Sequence, residues 1–137
     1  LIKEIRAIFN EDFNSLNALV IDDDPDARDL AVRLLESVGF RVDLASNGKE
    51  GLEKLNFGFD LVILDLQMPV MDGFEFLKEL DSGNYKIQKE PEIIVYSSLQ
   101  LDEVVRQKLI KRCSGILDKN SINSQSDLET TVRSLMG

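Results

Sequence analysis

Leu61-Val62-Ile63-Leu64 is apolar at every position and runs directly into Asp65. A strand with one wet face alternates apolar and polar residues. A strand with no polar residue has to be covered on both faces, as the central strands of a parallel sheet between two layers of helices are. Such a strand cannot stand alone, so the flanking sequence must supply more strands and the helices that cover them.

It does so in strict alternation from Asn17 onward. Ala18-Leu19-Val20-Ile21 reads as a first strand. Asp24 then caps a helix with Pro25 at its first position. Ala27, Leu30, Ala31, Leu34, Leu35 and Val38 give that helix one apolar face, and Gly39 closes it. Phe40, Val42 and Leu44 alternate like a strand near a sheet edge. A short helix is expected from Asn47 to Leu55, weakened by Gly51. After Leu61–Leu64, Asp72-Gly73 opens a third helix with Phe74, Leu77 and Leu80 on one side. Ile93–Tyr96 reads as a fourth strand. Leu101, Val104, Val105, Leu109 and Cys113 mark a fourth helix, which stops near Gly115. Ile116 and Leu117 form a fifth strand. Ser126 and Glu129 fit a capping box for a last helix that buries Leu128, Val132 and Leu135. Five strands alternating with five helices predict an α/β fold, a doubly wound five-stranded parallel sheet in three α/β/α layers. Right-handed crossovers and five strands favour the flavodoxin-like order 2-1-3-4-5.

The chain has 137 residues, the length of one domain. The expected division is a linker or helix over 1–16, with an apolar stripe of Ile2, Ile5 and Phe9, and a domain over 17–137. The chain starts with Leu, as an excised fragment would. There is no histidine, which removes imidazole bases, imidazole metal sites and histidine pH switches. The single cysteine, Cys113, allows no internal disulfide and reads as an inert core thiol. A net charge of −9 without a strong basic patch argues against direct nucleic-acid binding. No apolar run is long enough to insert in a membrane, and no signal peptide is visible, so a cytoplasmic protein is expected.

In an open α/β sheet, ligands bind beyond the carboxyl ends of the strands, where the strand order reverses. Asp22-Asp23-Asp24 follow the first strand, Asp65 the third, Ser97 and Ser98 the fourth, and Lys119 the fifth. Acids, a hydroxyl and an amine should therefore meet at one edge. Carboxylates so close repel one another unless something neutralises them. Mg²⁺ suits one or two carboxylates, carbonyl oxygens, waters and a phosphate oxygen. A phosphoryl group on one carboxylate would share its oxygens among the metal, the hydroxyl and the ammonium, which is catalysis by position and electrostatics. Asp24 reads mainly as a cap. By strand alternation Ser97 and Ser98 point to opposite faces, so one of the two should face the acids.

From about Asn17 to Met136 the chain resembles the receiver domains of two-component response regulators. The residues that carry the resemblance are Leu19-Val20-Ile21-Asp22-Asp23, the run Leu64-Asp65-Leu66-Gln67-Met68-Pro69-Val70-Met71-Asp72-Gly73, and Ser97 and Lys119 in the right order. The resemblance implies that Asp65 is the phosphoacceptor, with Ser97 and Lys119 as its catalytic partners. It implies Mg²⁺ held by Asp22, Asp23, Asp65 and the backbone carbonyl of Gln67, with Asp22 acting mostly through water. The implied donor is a phosphohistidine on a sensor histidine kinase or a histidine phosphotransfer protein. The implied output goes to a downstream effector protein or domain through the fourth helix, fifth strand and fifth helix, with a homodimer through the last helices as one form. Phosphorylation would draw Ser97 inward and switch the conformation. Such a chain is a signalling module, catalysing only its own phosphorylation and dephosphorylation.

Three positions depart from that pattern. Ile116 stands where an aromatic switch residue is usual, Asn120 where proline usually follows the lysine, and Leu99 where a polar residue often assists the attacking water. Rival readings fare worse. Asp22-x-Asp24 is similar to the nucleophile motif of haloacid-dehalogenase phosphatases, but Ala27 stands where Thr or Val is wanted and no late acidic pair follows Lys119. A calcium loop on Asp22, Asp24 and Asp26 would need Gly and Glu where Ala27 and Arg33 stand. The alternative left open is a receiver-like interaction module that is not phosphorylated.

Overall fold

The computed structural model describes residues 16–137. Five strands, β1 (Leu16–Ile21), β2 (Phe40–Ala45), β3 (Leu61–Leu64), β4 (Glu92–Ser97) and β5 (Gly115–Asp118), form one parallel sheet in the order β2-β1-β3-β4-β5. Five α-helices join them: α1 (Pro25–Val38), α2 (Gly48–Lys54), α3 (Gly73–Asp81), α4 (Glu103–Arg112) and α5 (Ser124–Met136). A single 3₁₀ turn, Leu55–Phe57, extends α2. The expected helix at the amino terminus falls on residues outside the described ones.

The apolar run of β3 is central, with Ala18 opposite Leu61 on one side and Val62 opposite Ile93 on the other. Its side chains divide between two cores. Val62 and Leu64 join Leu19, Ile21, Ile93 and Val95 under Leu52 of α2 and Phe76, Leu77 and Leu80 of α3. Leu61 and Ile63 join Ala18, Val20, Ile94 and Tyr96 under Ala31 and Leu35 of α1 and Leu128 and Val132 of α5. Strand alternation thus feeds both layers at once, which is why no polar residue is tolerated in β3. β2, at the edge, keeps the alternating pattern, with Phe40 and Ala45 buried and Arg41 and Asp43 exposed.

The helix starts follow local chemistry. The Asp24 side chain accepts the Asp26 N–H at 3.1 Å ahead of Pro25. Asp72 and Glu75 form a reciprocal capping box at α3. The capping box expected from Ser126 and Glu129 does not form. The turns Ser121–Asp118 and Ser124–Ser121 already wind the chain, so α5 begins at Ser124 after Asn123, with no side-chain cap. Ser126 Oγ instead donates to the Asn123 carbonyl at 3.1 Å, and Glu129 accepts from Arg133 one turn on. Helix interiors repeat the same three-residue spacing that defines the box.

In α4, Leu109 is buried and Val105 and Cys113 are half-buried, but Val104 is 66 % exposed. The anchoring stripe is therefore Val105–Leu109–Cys113. Cys113 packs against the core, and burial pushes its thiol up to about 11. With its pKa raised from 9.0 to about 11, its thiolate fraction at neutral pH falls about 100-fold. Iodoacetamide is accordingly expected to label Cys113 in the folded protein at least that much more slowly than in the urea-unfolded chain. Equal rates would place the thiol in a different environment.

Candidate functional site

The sheet itself sets the site. Its ladder continues one rung past the strand ends: the Asp22 N–H donates to the Ala45 carbonyl at 3.0 Å, the Asp65 N–H to Ile21 at 3.0 Å, and the Lys119 N–H to Ser97 at 3.0 Å. Three side chains from distant parts of the chain are thereby aimed from one rigid edge.

Oxygens of Asp22, Asp23 and Asp65 lie within 4.8 Å of one another, with Asp22 and Asp65 buried and Asp23 exposed. Lys119 Nζ donates to Asp22 Oδ2 at 2.6 Å and lies 3.5 Å from Asp65 Oδ2. The remaining oxygens are held by backbone: Asp22 Oδ1 accepts the Asp24 N–H at 3.0 Å, and Asp65 Oδ1 accepts the Gln67 N–H at 3.3 Å. Burial raises the Asp22 carboxyl above the ordinary carboxylate range, against the pull of Lys119 and the Asp24 N–H, and the Asp65 charge adds to the rise. Burial also works against the Lys119 ammonium. Its bond to Asp22 and the charges of Asp22 and Asp65 outweigh that, so its pKa is raised as well.

The chain leaves Asp65 through a tight passage. A Cβ on Gly73 would lie 2.5 Å from the Asp65 carbonyl oxygen and 2.8 Å from Leu66 Cα. Only glycine lets α3 begin this close to the end of β3, which explains Asp72-Gly73 in physical terms.

Three carboxylates and one ammonium leave the cluster net negative. Its donors are all oxygens, and its exposed member Asp23 lies on the solvent side. That donor set fits a hard divalent cation that keeps several waters, and offers nothing to a softer metal.

Ser97 is buried at 3 % exposure while Ser98 is exposed, so the strand alternation expected from the sequence holds. The Ser97 hydroxyl accepts the Leu99 N–H at 3.3 Å.

Comparison with known proteins adds a second line of argument. The family model described as the response regulator receiver domain matches residues 18–133. A transcriptional regulatory protein, the CpxR homolog of Haemophilus influenzae, is 48 % identical over 62 residues, covering 45 % of this chain and 27 % of that protein. The aerobic respiration control sensor protein ArcB of Escherichia coli is 30 % identical over 145 residues, covering 95 % of this chain and 18 % of that protein. Among solved structures, the CheX–CheY–BeF3–Mg complex of Borrelia burgdorferi aligns at 26 % identity with a TM-score of 0.75, covering 89 % of this chain and 90 % of that one. The chain belongs to the response regulator receiver domain family. It spans about a quarter or less of the length of the two curated relatives described.

Within this receiver domain the three departures have visible consequences. Ile116 is half-buried beside a cavity of about 110 Å³ that Leu66, Val95, Ser97, Leu99 and Leu101 also line. Asn120 uses the N–H that proline would lack, donating it to Asp118 Oδ1 at 2.8 Å, and its side chain reaches the Ser98 carbonyl at 3.5 Å. Leu99 is half-buried against the core, and its N–H is the group that holds Ser97. Two supports were not read from the sequence. One is the Asp24 N–H on Asp22, hidden because Asp24 looked only like a cap. The other is the backbone of the loop after Asp65, taken up below.

The sign of the Asp22 shift gives a test. A carboxyl whose folded pKa is raised binds its proton more tightly when folded, so the stability it gives is fully present below the ordinary carboxylate range and is lost as pH climbs through the raised folded pKa. The Lys119 contribution is intact over that range, since its pKa is shifted upward and its stabilisation is lost only at alkaline pH. Asp22→Asn is expected to melt above wild type at pH 7 in EDTA, by a gap that closes as pH falls below the ordinary carboxylate range. Thermal melts of both proteins from pH 3 to 8 measure this. A variant that melts below wild type at pH 7 would mean that Lys119 more than offsets the burial.

Proposed function

We propose that this receiver domain takes a phosphoryl group from a phosphohistidine onto Asp65, in a reaction that depends on Mg²⁺ held by Asp22, Asp23, Asp65 and the Gln67 carbonyl. The observation that carries the reading is the buried carboxylate pair bridged by Lys119 at the carboxyl edge of β1 and β3. An oxygen of Asp65 attacks phosphorus, the N–P bond of the donor breaks, and its electron pair stays on the imidazole nitrogen, which takes a proton from solvent. Mg²⁺ supplies charge neutralisation for the phosphoryl oxygens. Lys119, already within reach of Asp65, turns toward the new oxygens.

Ser97 completes the site. Its hydroxyl accepts from Leu99 in the free protein and keeps its own proton to donate, so movement toward a phosphoryl oxygen pulls on that N–H or breaks the contact. The segment from Ser98 to Asp102 then shifts with it. α4, whose one fully buried residue is Leu109, is the helix most easily biased between two packings. Leu99 and Gln67 flank the acyl phosphate and set its lifetime against water.

The partners are a sensor histidine kinase or a histidine phosphotransfer protein upstream and an effector protein or attached domain downstream. Relatives named as a transcriptional regulatory protein and as a sensor protein support both attachments. Among the described residues no helix is long and apolar enough to cross a membrane. The reading places the domain in the cytoplasm, with the donor, as a signalling module. A receiver-like module without phosphorylation is disfavoured by how completely the acceptor constellation is assembled.

Intact mass after incubation with Mg²⁺ and acetyl phosphate tests the acceptor. One phosphoryl adduct is expected on wild type and none on Asp65→Ala. An adduct on both proteins would move the acceptor elsewhere, and none on wild type would favour the interaction module. The lifetime claim has its own test. Leu99→Glu is expected to speed loss of the adduct roughly tenfold, less than the roughly 10²–10⁴ of a fully positioned base because the introduced carboxylate is not pre-oriented. An unchanged decay would remove Leu99 from the role.

A further inference from the structure

Val70 has φ +67°, the one non-glycine residue among those described with a positive φ. The Met71 N–H donates to the Pro69 carbonyl at 2.7 Å across it, so Pro69-Val70-Met71 is a γ-turn with its central residue left-handed. That conformation is strained for a β-branched residue and persists only where the surroundings over-determine it. The Val70 side chain is 77 % exposed, so its own packing does not hold it there.

What does hold the turn is backbone from another element. The Gly48 N–H, one of the donors that the first turn of a helix leaves without an internal partner, donates to the Met71 carbonyl at 2.9 Å. The approach leaves no room for a side chain. A Cβ on Gly48 would lie 2.9 Å from the Met71 carbonyl oxygen and 2.9 Å from Met71 Cγ. Asn47 fixes this first turn by accepting the Glu50 N–H at 2.9 Å. The other end of the loop is closed by the Gly73 N–H on the Leu66 carbonyl at 3.2 Å. Gln67 lies between these two fastenings.

We infer that Gly48 is a positioning residue for the metal site: by holding the Met71 carbonyl it keeps the strained turn at Val70 closed, and that closure orients the Gln67 backbone carbonyl toward the cation. The inference rests on the Mg²⁺ reading given under Proposed function. Gly48 touches neither phosphoryl group nor metal, and it acts through the loop alone. A residue that merely packs α2 would change stability without changing affinity for the ion.

The test is Mg²⁺ affinity by titration calorimetry beside thermal melts in EDTA, on wild type, Gly48→Ala and Asn47→Ala. Gly48→Ala is expected to bind Mg²⁺ about tenfold more weakly or worse, as when a group that orients a metal ligand is lost. Asn47→Ala adds no bulk beside Met71 and frees the first turn of α2 that presents the Gly48 N–H, and a smaller loss in the same direction is expected. Unchanged affinity in Gly48→Ala with a lowered melting temperature overturns the inference and leaves the metal reading standing. If Gly48→Ala does not fold, Asn47→Ala decides, and wild-type affinity there overturns the inference. A wild type that binds no Mg²⁺ overturns the metal reading, and the inference falls with it.

Discussion

The Lys119 ammonium between the buried carboxylates of Asp22 and Asp65 is the contact on which the rest of the site depends. Two carboxylates held this close and out of water could not both stay ionised without a nearby cation. Lys119 offsets part of that repulsion, and the Asp22 carboxyl still stands above its ordinary range, first because it is buried and last because Asp65 is near. Among the described residues, the buried polar or charged side chains are Asp22, Asp65 and Ser97. The interior is therefore apolar except where the proposed chemistry sits. A domain selected for stability alone would not keep that arrangement.

That arrangement needs a rigid frame, and the parallel sheet supplies it. The acids and the lysine extend the hydrogen-bond ladder beyond the strand ends, so their backbones are fixed as firmly as the strands. Both cores press on β3 from opposite sides, which leaves Asp65 little freedom to retreat from Asp22. Side chains on rigid elements hold a productive geometry better than side chains on loops. Loops carry the remaining parts, Gln67 and the segment after Ser97, where movement is required.

Much of this was legible because strand chemistry is local. The unbroken apolar run of β3 and the acids directly after β1 and β3 follow from reading each strand to its end, whereas alternation only separates Ser97 from Ser98 and the resemblance to receiver domains chose between them. Helix phase was harder. Val104 and Val105 both fit an apolar stripe over the ten residues of α4, and only packing decides that Val105 faces inward and Val104 outward. Ser126 and Glu129 satisfy a capping pattern that also occurs inside any helix, and the turn before Ser124 had already begun the winding. Val70 could not be read at all, since a β-branched residue argues against a positive φ. The reason it adopts one lies in Gly48, 22 positions earlier, and no local pattern carries that.

The departures at Ile116 and Leu99 bear on how a signal would leave the site. An aromatic at position 116 would carry movement by turning a large ring between two positions. Ile116 is smaller and branched at Cβ, which restricts its rotamers. What lies beside it is open space of about 110 Å³ under Leu99 and Leu101. Its lining is mixed, with Gln100, Arg106 and Asp118 beside the aliphatic side chains, so it opens to solvent and leaves apolar surface of the leucines wet. Movement of Leu99 or Leu101 into that space would take apolar surface out of water, and the Leu99 N–H is the group bound to Ser97 that would be displaced if the proposed turn of Ser97 toward a phosphoryl oxygen occurs. In this chain the loop and its cavity can therefore do by aliphatic packing what a ring would do by rotation, provided the segment from Ser98 to Asp102 is free to close. Its polar restraint is the 3.5 Å contact from Asn120 to the Ser98 carbonyl, near the long limit for a hydrogen bond and on the exposed side, where water competes for both groups. The substitutions at 116 and 120 are thus compatible with one another, since the first leaves space for the loop and the second restrains it only weakly.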